Sequence, residues 1–133
     1  MTSYEFIDEL WNLFTNDDEL VSLLSVDTTD ESSYVDKFRE QDRDVNEFEA
    51  SDLPYIAFYF ADADTTKNDY MNLGVLRIDI YADSRDHTTA IRKRIASLMH
   101  EHFDERIRAE GQRTSGIKDV YKYRLEFTPL IFT

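Results

Sequence analysis

Few stretches of this 133-residue chain combine residue types that could do chemistry. Asp62-Ala63-Asp64-Thr65-Thr66, followed by Asn68 and Asp69, places side-chain oxygens at alternating positions, as a calcium loop does. The stretch lacks the turn glycine and the closing bidentate Glu of such loops. Asp and Asn side chains that hydrogen-bond their own backbone account for the same residues as turn formers. His100-Glu101-His102 offers two imidazoles, but helix positions two apart diverge by about 200°, so both rings cannot face one ion. Nor is it the H-E-x-x-H arrangement that places two His on one helix face. The pair reads as surface, with His102 partly buried. Ser, His and Asp all occur, yet no nucleophile turn such as G-x-S-x-G accompanies them. Three glycines are too few for a phosphate-cradling loop or a dinucleotide fingerprint. The chain has no cysteine, hence no disulfide, thiolate zinc site or cysteine nucleophile. The expectation is a protein with no catalytic residue, metal site or cofactor, and not an enzyme.

Charge bounds the partners. The net charge is −13, and residues 1–50 hold 15 Asp and Glu against three bases, while residues 51–133 hold 13 acids against 12 bases. Such a field repels nucleic acid, whose binding needs Lys and Arg against phosphates. It suits a basic protein partner, or solubility. No run approaches the ~20 apolar residues that span a bilayer, and the N-terminus carries acids where a signal peptide carries bases. A soluble, cytoplasmic-type protein without membrane or direct nucleic-acid recognition is expected.

The stretch Leu53–Phe103 organises the rest. Two apolar and aromatic runs flank a polar loop, and an amphipathic helix follows, which predicts a β-hairpin feeding a helix. In the first run Ile56, Phe58 and Phe60 share a face, opposite Tyr55, Ala57 and Tyr59. In the second, Leu76, Ile78 and Ile80 oppose Val75, Arg77, Asp79 and Tyr81. Ser84 is placed to cap a helix over about 85–104, with Ile91, Ile95, Leu98, Met99, His102 and Phe103 along one stripe. Gly111 and Gly116 bracket a turn-rich segment. The final strand, 119–128, alternates Tyr121, Tyr123, Leu125 and Phe127 with Lys122, Arg124, Glu126 and Thr128 and stops at Pro129. Upstream, Phe6, Ile7, Leu10, Trp11 and Phe14 repeat at helical spacing. A second short helix, started by Asn16 or Asp17, carries Leu20, Leu23 and Leu24. Residues of about 26–52 form an acidic, irregular segment with Tyr34, Val35 and Phe38 as one helical turn. One domain, 1–133, is expected. Its class is α+β, a small antiparallel sheet (hairpin 53–82 plus strand 119–128) packed by the N-terminal helix and the helix at 85–104.

One hairpin face is core. The other mixes tyrosines with charges, a composition typical of protein contact surfaces. It predicts an interface through Tyr55, Tyr59, Arg77, Asp79 and Tyr81. The hairpin loop, longer than usual, adds Asp64, Lys67 and Tyr70. The apolar end Leu130, Ile131 and Phe132 either tucks into the core or docks on a neighbour.

The order of these elements also carries a resemblance. "LPYIAFYF", a polar loop ending in Asn, "LGVLRIDIYADSRDHTTAIRKRIASLM" and "YKYRLEFTPL" follow an amphipathic helix and a polar segment. Over about Leu53–Thr128 this resembles the tail terminator (tail completion) proteins of long-tailed, siphovirus-type bacteriophages. The acidic segment has no counterpart in that pattern. The resemblance implies a homo-oligomer, a hexameric ring, which caps the tail tube, ends its elongation and offers a surface to the head completion or stopper protein. It implies a virion location at the head-proximal end of the tail, after assembly in the host cytoplasm. It implies no cofactor. A head–tail joining stopper or connector, or a tail-tube-like component, follows the same logic and stands as the alternative. An acidic inhibitor imitating DNA ranks behind both, because its carboxylates would need a rigid, phosphate-like spacing.

Overall fold

A computed structural model describes residues 3–40, 52–61 and 71–132. Helix α1 (Ser3–Thr15) buries Phe6, Ile7, Leu10 and Phe14 and leaves its acids on the opposite side. Helix α2 (Asp18–Leu23) starts at Asp17, whose carboxylate accepts a hydrogen bond from the Leu20 amide at 2.9 Å, and buries Leu20 and Val21. Helix α3 (Glu31–Lys37) is capped in the same way by Asp30. Carboxylates at helix N-termini satisfy orphan amides and complement the helix dipole, so these acids are local structural signals as well as charge.

Strand β1 (Phe38–Arg39) follows directly, then β2 (Tyr55–Ala61), β3 (Met71–Leu73) and β4 (Val75–Ala82). Helix α4 (Arg85–Phe103) precedes β5 (Ala109–Arg113), β6 (Tyr121–Phe127) and β7 (Leu130–Phe132). Ser84 caps α4 by accepting from the His87 amide, and Asp104 ends it in the left-handed conformation (φ 52°), donating its amide to the Met99 and His100 carbonyls. Asp is one of the few residues besides glycine that takes this conformation readily.

The main sheet has the order β1-β2-β4-β6-β5, and β3 pairs with β7 in a separate two-stranded ribbon. The α+β class, the hairpin pairing of β2 with β4, the flanking helices and the C-terminal strand all stand as expected. Three features differ. The sheet is mixed, because β1 runs parallel to β2. Residues 109–113 form an edge strand in the segment read as turns, where Gly111 faces Arg124 across the ladder. Residues 26–40 contain α3 and β1 and are therefore not irregular. The helical turn expected at Tyr34 and Val35 lies within α3, whereas Phe38 begins β1, whose two residues are too few to show alternation.

Core side chains from α1, α2 and α4 meet one sheet face. Ile56, Phe58, Leu76, Ile78, Ile80, Leu125 and Phe127 are fully buried there, with Phe14 edge-on to Phe58. Trp11 packs edge-on against Phe38 at the margin of this core. No helix among the described residues is long and apolar enough to cross a membrane.

Candidate functional site on the outer sheet face

Strand alternation sends every second side chain to the face away from the helices. The registers align Arg39 on β1, Tyr55, Ala57 and Tyr59 on β2, and Tyr81, Asp79 and Arg77 on β4. Lys122, Arg124 and Glu126 on β6 and Arg113 on β5 complete the row. Five bases and two acids thus share one face of a strongly acidic chain.

Asp79 is its centre and is completely buried. Its carboxylate accepts hydrogen bonds from the Tyr59 hydroxyl at 2.7 Å and from Arg124 Nε at 2.8 Å, and Lys122 Nζ stands 3.7 Å away. Arg124 Nη2 also donates to the Tyr59 oxygen at 3.3 Å. A carboxylate this deep is tolerated only when its lone pairs are met and its charge is compensated, and all three partners contribute. Beside it, Tyr55 and Tyr81 stack across the strand pair with ring centroids 4.6 Å apart. The Arg39 guanidinium lies 4.0 Å over the Tyr55 ring and Lys122 Nζ 5.2 Å over Tyr81, so a cation sits on each outer ring face.

At the other end of the face, Arg77 and Arg113 share one carboxylate. Glu126 lies 3.5 Å from Arg77 Nε and 4.0 Å from Arg113 Nη2. These are ion pairs at long range, and Arg77 Nε is buried with no hydrogen-bond acceptor among the described residues. Gly111 makes room for the arrangement: a Cβ there would lie 2.9 Å from Arg113 Nη1.

The predicted interface residues therefore divide. Tyr55, Asp79 and Tyr81 are already buried within the chain, whereas Tyr59 and Arg77 keep part of their surface exposed. Asp64, Lys67 and Tyr70 lie outside the described residues, as does the suggested calcium loop. Leu130, Ile131 and Phe132 form β7 against β3, so the chain end is held by a strand pairing in its own chain. His102 is exposed, not partly buried, because it falls outside the stripe that faces the sheet; His100 is exposed too. Among the described residues no group of three or more His, Cys, Asp or Glu is arranged to hold a metal ion.

The organising roles of Lys122, Arg124, Glu126 and Arg113 were not anticipated. The alternation of the last strand places the first three on one face, and opposite charges on β4 are their natural partners. Only the register, however, sets Arg124 opposite Asp79 and Glu126 opposite Arg77. A cavity of about 320 Å³ opens between the start of α4 and β6, lined by Arg85, Thr88, Gln112, Tyr121 and Lys122. Among the described residues its lining supplies cations and hydroxyls, with no carboxylate or imidazole. Neither protein-family models nor curated proteins give a match to this chain.

Proposed function

We propose that this protein is a structural component of a long-tailed phage virion, a terminator that forms a ring on the tail tube, stops its growth and receives the head. Its partners on this reading are further copies of itself, the tail tube protein and the head completion or stopper protein. The observation that carries the reading is the element order from Leu53 to Thr128, in which the hairpin, the following helix and the last strand form one continuous packed unit. A partly exposed face rich in Tyr and Arg supports a role in assembly. Electron microscopy of the purified protein with and without tail tubes tests it. Rings at one end of the tube are expected. Density at the head vertex alone would favour a stopper, and absence from tails would reject both.

A second reading draws on one observation. From Tyr4 to Glu40 every charged side chain that is exposed is acidic, and several of these acids stand on helices. A rigid acidic surface suits a basic partner, including a DNA-handling enzyme inhibited by imitation of its substrate. Tight binding to such an enzyme, with no binding to tubes, would favour it.

A further inference from the structure

Two unsatisfied charge clusters lie on opposite sides of the sheet. On the outer face, Glu126 is the one carboxylate paired with Arg77 and Arg113 among the described residues, at 3.5 and 4.0 Å; Arg113 Nη1 donates to the Gln112 carbonyl at 3.2 Å, and Arg77 Nε has no acceptor among those residues. A guanidinium carries five N–H donors in a rigid fork that matches carboxylates, so this pair is under-used. On the helix side, α1 contains no base, and its exposed surface presents Tyr4, 82% exposed, with Asp8 one turn later. α1 packs beside β1 through Trp11 on Phe38, which brings Asp8, one turn before Trp11, to the side of the sheet where Glu40 follows β1; burial and the Asp8 charge together push the Glu40 carboxyl up from its ordinary range. Neither Asp8 nor Glu40 forms an ion pair with a described base.

These clusters cannot meet within one molecule, because α1 packs against the core face through Phe6 on Phe60 and Phe14 on Phe58. We propose that they meet between molecules, with Arg77 and Arg113 of one copy receiving Asp8 and Glu40 of the next, and Tyr4 packing beside them. The contact uses two different patches, so each copy keeps one of each for a further neighbour, as a ring requires. The inference rests on the ring reading and specifies its subunit contact.

Charge reversal tests it on the full chain. Arg77→Glu with Arg113→Glu is one variant, and Asp8→Lys with Glu40→Lys is the other. Light scattering coupled to size exclusion should find each variant monomeric alone, at a concentration where the wild type is oligomeric. Mixed in equal amounts they should reassemble, since both contacts are then attractive again. Arg113→Glu alone, at the exposed sheet edge, should weaken assembly while circular dichroism stays native, which covers the case where the double variant misfolds. Single variants that still assemble, or a mixture that does not, would overturn this contact while leaving the ring reading intact if wild-type rings persist on tubes. A wild type that stays monomeric both in solution and on tubes would remove the contact and the ring together.

Discussion

Asp79 and Arg124 face each other across the β4–β6 ladder, and the guanidinium holds a carboxylate that no solvent reaches. Tyr59 completes the network from the opposite neighbouring strand, so three strands are tied at one point. Asp79→Asn should remove the carboxylate that Arg124 and Lys122 face in a buried setting. The expected loss is roughly 3–5 kcal/mol, the range for removing one member of a buried pair. Urea denaturation checks it. A loss below about 1 kcal/mol would mean that solvent relieves the cations, contrary to the burial of the site. Tyr59→Phe should cost less, about 2 kcal/mol, because the hydroxyl's hydrogen bonds to Asp79 and from Arg124 are lost while the ion pair survives.

A second buried-edge pair gives a pH dependence. Arg94 donates to both Asp17 oxygens, at 2.9 and 2.5 Å, joining α4 to the cap of α2. Hydrogen bonding from Arg94, aided by the Leu20 amide and opposed by burial, holds the Asp17 carboxyl below its ordinary range. A carboxyl with a lowered folded value contributes stability that is present above its unfolded value, about 3.9, and lost as pH falls through the folded one. Stability should therefore fall below about pH 4. In Arg94→Met that acid limb should be shallower, with lower stability at neutral pH. Identical acid limbs in the two proteins, followed by chemical denaturation at several pH values, would contradict the assignment.

The long elements were legible because each carries its own period. Ile56, Phe58 and Phe60 against Leu76, Ile78 and Ile80 announce a hairpin with one buried face, and Ser84 with the Ile91–Phe103 stripe announces a capped helix. What was hidden depends on partners distant in the chain. The strand Ala109–Arg113 contains one small aliphatic residue and no aromatic, and it is a strand only because β6 offers an edge to pair with. Phe38–Arg39 is too short to show alternation. The outer face was legible as unusual, since Tyr and charge alternate on it. That Asp79 would be sealed and Arg77 left under-bonded required the registers, which local sequence does not encode.

Gly111 is the least obvious participant. Its missing side chain lets the Arg113 guanidinium lie across β5 toward Glu126. The close atom is the far end of a flexible side chain, so an added methyl can be accommodated by moving Arg113. Glycine inside a strand costs about 0.5–1 kcal/mol relative to alanine. Gly111→Ala should thus be neutral to stabilising by up to that amount, while assembly through Arg113 weakens. Thermal melting and light scattering on one preparation read both effects. A marked fall in melting temperature would mean that backbone, not Arg113, blocks the added carbon.

Glu40 offers the opposite sign to Asp17. Burial and the neighbouring Asp8 raise its carboxyl, so the folded state is penalised whenever Glu40 is ionised. For an acid with a raised folded value, stability improves as pH falls through that value and is unaffected by the group below its unfolded value, about 4.3. Glu40→Gln should therefore stabilise the isolated chain at neutral pH, by no more than about 0.5 kcal/mol for so exposed a residue. The gain should vanish toward pH 4. Asp8→Asn should give a gain at neutral pH as well, and the two substitutions together should give less than their sum, because each relieves the same repulsion. Melting curves of the three variants under conditions that keep the chain monomeric settle the point: full additivity would separate Asp8 from Glu40, and a loss of stability in Glu40→Gln would reverse the sign assigned to its burial.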